Sequence, residues 1–455
     1  IPWVDIEERY QTLFVNNGRP TISIRVALGA LIIKEKLNLT DEETVAQISE
    51  NPYLQYFLGF DQFILAKPFN SSSLTHFRKR FTPEVMAEIN EMIIAAQKND
   101  NDDDTTSQGG KQEDESHDAP ANSGDLILDA TCVPADIHYP TDITLLNDAR
   151  MILEEVIDVL HEPHVGTVKK PRDYRNKARK AFLTFTKARK PKMKKVRIHL
   201  RKQLGFVGRD LKIIEKMIQT CDLGLLSKSL YQKLLVVNEL YRQQRKMYIE
   251  KEHRVDDRIV SIHMPHIRPI VRGKAGADTE FGAKVLISVQ NGFNRIEHLD
   301  FNSFNEGNYL QAAAENYFQR NGHYPARILV DKIFRTRENY RFCKQNNIKM
   351  SNVKLGRPPL NMTAEQKQEE RDTEGLRNEV EGDFGTGKRK YTLNRLLTRL
   401  PVTSICQIAL VFMVMNLDKV FRDFLFSIFK VRCLKDLLEH ILNCVNLTRK
   451  IAVFQ

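Results

Sequence analysis

Asp125-Leu126-Ile127-Leu128-Asp129 decides how this chain is read. It is a short apolar run ending on a carboxylate, the pattern of a buried strand that delivers an acid to a sheet edge. The pattern returns in Ala326-Arg327-Ile328-Leu329-Val330-Asp331. Two such acids converge only if their strands lie side by side and parallel, which requires a crossover between them. The intervening chain supplies the parts. A helix is expected over 143–160 and a long basic helical stretch runs to about residue 253. Strands are expected over 258–263, 283–289 and 295–299, the last two joined by the hairpin pair Asn291-Gly292. A helix over 306–320 then leads into the second acidic strand.

Downstream, a helix near 336–345 and a short strand at 348–351 precede Gly356-Arg357-Pro358-Pro359. Thr363 with Gln366 then caps a polar helix carrying Arg371, Arg377 and Glu381. Arg377, Glu381 and Lys388 stand at i, i+4 and i+11, which at about 100° per residue places them within roughly 40° of one another on a helix. Gly382, Gly385 and Gly387 each weaken that helix by about 1 kcal/mol relative to Ala, so its extension to Lys388 is open. Asp129, Asp331 and Glu381 together make a hard, all-oxygen donor set suited to Mg²⁺ or Mn²⁺. Two such ions about 3.5–4 Å apart serve in-line attack on a phosphodiester.

The rest of the 455 residues fits that chemistry. The length implies roughly two or three domains. Lys+Arg 69 against Asp+Glu 58 gives a formal charge of +11, which favours a polyanionic partner, nucleic acid before an anionic membrane. The apolar run 405–417 is too short to span a bilayer and reads as a buried helix. The 6 cysteines form no C-x-x-C pair. No signal peptide is visible at Ile1-Pro2-Trp3, and the absent Met suggests a trimmed start; a cytoplasmic, nucleoid-associated protein is expected. Residues 1–97 read as a helical module for DNA binding or dimerisation. Within it the Thr40/Glu43 capping box opens a helix that carries acids rather than cations, so helix packing or dimerisation is favoured over base reading. Residues 98–124, with Asp102-Asp103-Asp104, read as a disordered acidic linker. The expected division continues with a catalytic domain in two parts, 125–165 and 258–420, split by a basic insertion at 166–257, and C-terminal helices at 421–455. Between Lys169 and Lys202 the cations face a single acid, Asp173, with Tyr174, Phe182 and Phe185 interleaved. Lys187, Arg189, Lys190, Lys192, Lys194 and Lys195 are the candidates for the DNA backbone.

Several stretches together resemble the DDE transposases of bacterial insertion sequences, in particular the insertion-sequence eleven-eighty-two type. They are 126–131, Tyr139-Pro140-Thr141-Asp142, 269–276, Val330-Asp331-Lys332 with Arg335-Thr336-Arg337-Glu338-Asn339, 354–359 and 377–388. The R-x3-E-x6-K part of that family's Y-R-E-K signature is intact at Arg377, Glu381 and Lys388, while Glu374 stands where its Tyr should be. The resemblance implies a ribonuclease H-like α/β catalytic domain with a helical insertion, an all-α N-terminal module and a helical C-terminus. It further implies a metal-binding triad of Asp129, Asp331 and Glu381, and DNA contact by Arg377 and Lys388. The expected partners are double-stranded DNA, as terminal repeats and target, and a second copy in a homodimeric active complex, with no membrane. A transposase-derived DNA-binding protein without catalysis is the rival, and a plain metal-dependent nuclease the third reading.

Other motifs are weaker. Asp136 and Asp142 compete for the first-acid role but follow no apolar strand directly and read as loop acids capping the next helix. The run Gly382-Asp383-Phe384-Gly385-Thr386-Gly387-Lys388 mimics a P-loop, yet Arg389 follows the Lys where Ser or Thr is needed. His161-Glu162-Pro163-His164 lacks the spacing of a helical metal pair.

Overall fold

A computed structural model describes residues 1–14, 22–102, 121–274, 277–351 and 364–452. In chain order the elements are α1 (Trp3–Tyr10), α2 (Ile24–Leu37), α3 (Asp41–Glu50), α4 (Pro52–Phe57), α5 (Ser71–Arg80), α6 (Pro83–Asp102), β1 (Asp125–Pro134) and α7 (Asp142–His161). Then follow α8 (Arg175–Thr186), α9 (Met193–Met217), α10 (Lys228–Glu250), β2 (Arg268–Lys274), β3 (Ala277–Gln290), β4 (Phe293–Asp300) and α11 (Leu310–Asn321). The chain ends with β5 (Arg327–Leu329), α12 (Arg337–Gln345), β6 (Lys349–Met350), α13 (Ala364–Lys390) and α14 (Pro401–Ala452).

The chain is a mixed α/β protein built on one sheet. β1 pairs antiparallel with β3 and parallel with β5, and β5 pairs parallel with β6. β2 and β4 lie end to end along the other edge of β3, both antiparallel to it. The hairpin from β3 to β4 turns at Asn291-Gly292, both with positive φ (54° and 73°), the left-handed conformation that a two-residue turn between twisted strands requires. Gly282 sits where β1 and β3 press closest. A Cβ there would collide with the backbone oxygen of Val133, so no other residue keeps this register.

Alternation along β1 sorts its side chains onto two faces. Leu126, Leu128 and Ala130 pack with Leu310, Ala313, Tyr317 and Phe334, on the side of α11 and α12. Ile127 and Val133 pack with Val380, Phe384 and the α14 residues Cys406 to Met415. Asp129 alternates onto this second face.

α14 joins the sheet to the N-terminal helices. Ile24, Leu28, Leu31, Leu74 and Phe77 share a core with Phe412 of α14 and Ile287 of β3. At the junction buried Asn416 donates to Asn90 Oδ1 (2.8 Å) and to Asn294 O (2.8 Å), and accepts from Asn294 N (2.8 Å). Arg295 forks onto Glu91 at 2.6 and 3.0 Å. The capping box of Thr40 and Glu43 is present at the start of α3. Arg78, of the basic run Arg78-Lys79-Arg80 that ends α5, is buried and forks onto Asp41 at 3.0 and 2.6 Å, so it is spent on packing.

The insertion has a core of its own. Leu146, Leu153 and Ile157 of α7 meet Leu204 and Val207 of α9 and Val237 and Leu240 of α10, with Ile259 and Ile262 closing it. Asp210 on α9 is fully buried, and neither carboxylate oxygen has a hydrogen-bond partner among the described residues. Burial, helped by the charges of Glu154 and Asp173, pushes its pKa up to about 7 against Arg150 and Arg209.

Several expectations change. No strand forms at 258–263; the strand is β2, ten residues later, where Ile270 can bury against β3. Asp129 is not the end of its strand, because the alternation continues through Cys132 and Val133. The expected divisions at 97/98 and 420/421 fall inside α6 and α14, and those at 165/166 and 257/258 are bridged by the insertion core. Of the linker 98–124, the stretch 103–120 lies outside the described residues, as do Thr363 and the Pro-rich stretch 356–359. The apolar segment of α14 is longer than 405–417. Pro401–Phe429 is long and apolar enough by length and composition to cross a membrane, but 61% of its apolar window is buried inside the molecule, the position of a core helix.

Candidate active site

The sheet order brings the two aspartates to one end. Ile127 pairs with Leu329 across β1 and β5, so Asp129 and Asp331 each stand two residues beyond that pair on parallel neighbours. β5 stops at Leu329, and Asp331 caps a short 3-10 turn, Lys332–Phe334, its Oδ1 accepting from Lys332 N at 2.6 Å. Asp331 is exposed and Asp129 half-buried.

The third acid arrives on α13. This helix runs unbroken to Lys390 despite its glycines, because Val380 and Phe384 bury against the sheet and Gly387 gives passage to Leu393. Tertiary packing outweighs the propensity cost here. Glu381, next to buried Val380, keeps 61% of its side chain exposed, and Arg377 lies one turn back at 3.8 Å from its carboxylate. Lys388 lies on the same helix and is half-buried. Asp383 to Lys388 is thus helix, which removes the P-loop resemblance.

Burial raises the pKa of Asp129 to about 6; its own Oδ1 contact with Ala130 N (2.7 Å) and Arg377 pull it down, while Glu306 and Glu381 push it further up. The side chain therefore sits in a field with more carboxylates than cations, which a divalent cation would relieve. The donors fit Mg²⁺ or Mn²⁺ in kind, all oxygen. Among the described residues, no three His, Cys, Asp or Glu side chains stand close enough to hold an ion as they are. The geometry brings Asp129, Glu381 and Arg377 within electrostatic reach. It aligns Asp331 by register, with its carboxylate turned to its own backbone.

Sequence reasoning missed Glu306. It opens the turn before α11 and pairs with Lys284 of β3 at 2.9 Å, both largely buried. Gly307 packs against the Ile333 carbonyl, and Asn339 Nδ2 donates to Gly307 O (2.7 Å) and Phe334 O (2.8 Å). The Glu306 turn is thereby fastened to the turn that begins at Asp331. An acid in a loop carries no sequence signal of this. The rival acids are occupied elsewhere: Asp136 with Arg395 (2.7 Å), Asp142 with Arg258 (2.7 Å) and Gln244 (2.9 Å). The cap of α7 is Thr141, not either acid.

The cationic candidates of the insertion lie at the α8–α9 connection. Lys187, Arg189, Lys190, Lys192, Lys194 and Lys195 are all exposed, and no carboxylate pairs with any of them among the described residues. Lys194 and Lys195 occupy the first turn of α9, where the helix dipole disfavours cations, and Lys192 caps it without a side-chain bond. Cations placed against the dipole are the arrangement expected of a surface neutralised by a polyanion. Two of the interleaved aromatics have ring partners within the insertion: Tyr174 carries Arg172 and Arg209 on its ring (5.0 and 4.6 Å), and Phe185 lies 5.0 Å from His199.

Two family models match stretches of the chain. Residues 328–418 match the family described as "Transposase DDE domain", a span that includes Asp331 and Glu381. Residues 1–80 match "Transposase domain (DUF772)". The chain is also similar to "Uncharacterized protein ORF8 in nfe locus" of Rhizobium meliloti, 31% identical over 153 residues, which cover 34% of this chain and 67% of that protein. No solved structure matches.

Proposed function

This chain belongs to the DDE transposases of bacterial insertion sequences, and on that premise we propose that it cuts transposon ends and joins them to target DNA with Asp129, Asp331 and Glu381. The family implies a ribonuclease H-like fold, DNA as partner and divalent ions as cofactor. The observation that carries the reading is the parallel β1–β5 pair, which sets two aspartates at one sheet end beside the helix bearing Glu381 and Arg377. The antiparallel β4-β3-β1 and parallel β1-β5-β6 arrangement, interrupted by a helical insertion, supports the ribonuclease H-like assignment.

In this reading Asp129, Asp331 and Glu381 would hold the Mg²⁺ ions. Bound there, the ions would supply Lewis acidity to the attacking and leaving oxygens of an in-line displacement. Arg377 and Lys388 grip the phosphates at the cut end. The exposed cations from Lys187 to Lys195 hold the duplex without reading its sequence. In the first step a water oxygen attacks phosphorus and the 3′-oxygen leaves as a hydroxyl. In the second that hydroxyl attacks a target phosphodiester and displaces a target 3′-oxygen. We assign the chain to the eleven-eighty-two branch, to the cytoplasm beside the nucleoid, and to a homodimeric active complex.

Asp129→Ala, Asp331→Ala or Glu381→Ala should each lower Mg²⁺-dependent end cleavage by about 10³-fold or more, the equivalent of ~4 kcal/mol. Wild-type rates in any of the three would remove that residue from the triad. The second reading, a DNA-binding relative without catalysis, draws on Glu374 at the signature Tyr position and on acids that are not yet converged. It predicts DNA binding with no Mg²⁺-dependent products. A plain nuclease would cleave without strand-transfer products.

A further inference from the structure

Immediately after Asp331 the chain builds a small basic cavity that the roles above leave unused. Arg335, Thr336, Arg337, Tyr340, Arg341 and Met350 line it as an open pocket of about 360 Å³. That volume is near the floor of the ~300–1,000 Å³ range of small-ligand sites, enough for one nucleotide unit and too small for a duplex. Its position is fixed by the fold. Arg335 closes the 3-10 turn that Asp331 opens, and Thr336 caps α12 by accepting from Asn339 N at 3.1 Å. Asn339 ties this corner to the Glu306 turn, so the cavity is rigidly coupled to the acid end of the sheet.

Its charged side chains are of one sign only, set on a wall that is otherwise mostly apolar. No carboxylate pairs with Arg335, Arg337 or Arg341 among the described residues, although other arginines of the chain, such as Arg78, Arg295 and Arg327, are forked onto acids. Guanidiniums that share a cavity repel one another unless an anion joins them, and their planar forks match a phosphate. Tyr340 stands on the same wall with 61% of its surface exposed, an aromatic ring available for a base to stack on. Met350 completes an apolar floor.

We infer that this cavity takes a single unpaired nucleotide of the DNA strand, its phosphate held by Arg335, Arg337 and Arg341 and its base stacked on Tyr340. The inference rests on the transposase reading, because it places that nucleotide beside Asp331. A base can enter only if it leaves its duplex partner, so the cavity selects frayed or extended ends over blunt ones.

The test uses the full chain with two fluorescein-labelled duplexes of one sequence, blunt or carrying a single-stranded 3′ extension containing 5-iododeoxyuridine. Wild type should bind the extended duplex about tenfold more tightly, and long-wave irradiation should attach the extension to Tyr340, read by mass spectrometry. Tyr340→Ala should abolish both the preference and the adduct, while Tyr340→Phe keeps the preference. Arg337→Ala with Arg341→Ala should lower the salt dependence of binding by about 1–2 in log–log slope. If wild type binds DNA but these variants leave preference, adduct and slope unchanged, the cavity is not a nucleotide site and the transposase reading stands. If wild type binds neither duplex, the DNA reading fails and the cavity proposal with it.

Discussion

The N-terminal helices and the α7–α10 insertion both flank the sheet as all-helical regions, yet they are held in different ways. α2, α5 and α6 share one continuous core with the sheet through α14, sealed by the Asn416–Asn90–Asn294 bonds and the Arg295–Glu91 pair. The insertion closes a separate core among α7, α9 and α10 and turns its cations outward. A region fused to the sheet can bias the acid site through packing. A region with its own core can change its DNA grip and leave the acid site alone.

The comparison can be broken most decisively at Phe412, which is 2% exposed in the shared core. Phe412→Ala should cost about 3–5 kcal/mol and reduce hydrogen-exchange protection in α2 and β3 together. Loss confined to α2 would mean two cores where one is described. Leu153→Ala, in the insertion core, should cost about 2–5 kcal/mol, with protection falling in α7, α9 and α10 while β1 and β3 hold.

A smaller effect sharpens the insertion's independence. The folded pKa of Asp210 is raised to about 7 from an ordinary 3.8. Between those values the folded state keeps a proton that the unfolded chain releases, so stability is full below about pH 4 and is lost as pH rises to about 7. Glu154, Asp173, Arg150 and Arg209 are the charges around it. Asp210→Asn should flatten this slope and stabilise the insertion by about 1–2 kcal/mol at pH 8. An unchanged pH profile in thermal unfolding would refute the assignment. The smallest effect on stability belongs to Lys187→Ala, Lys190→Ala and Lys194→Ala combined, within about 0.5 kcal/mol because all three are exposed. Their effect on DNA is larger: the log–log salt slope should fall by about 1 for each phosphate no longer neutralised. An unchanged slope would take the duplex off this surface.

The sequence made α3, β1, β3, β4, α7 and the α12 region legible because period, cap and turn signals agreed there, as at Thr40 and Asn291-Gly292. It also made the pairing of two acid-bearing strands legible, since burial of an apolar run between polar flanks leaves few alternatives. It misplaced β2, because Ile259, Val260 and Ile262 are as apolar as a strand, but Ile259 and Ile262 bury in the insertion core and Val260 in the core shared with the sheet. It split α14 from the catalytic part because composition changes near 420 while the backbone does not. Glu306, Asn416 and the Arg335–Arg341 cavity went unseen for one reason. Each gains its meaning from residues far away in sequence, and no local pattern announces such a meeting.

α14 has one more implication. From Asn416 at the seal to Ala452 it continues for 36 residues, about 54 Å of rod at 1.5 Å per residue. The Asn416 end is wedged against β4, on the sheet that carries Asp129. Whatever grips the other end holds a lever whose fulcrum is the core itself, so torque applied far from the DNA is delivered to the back of the sheet.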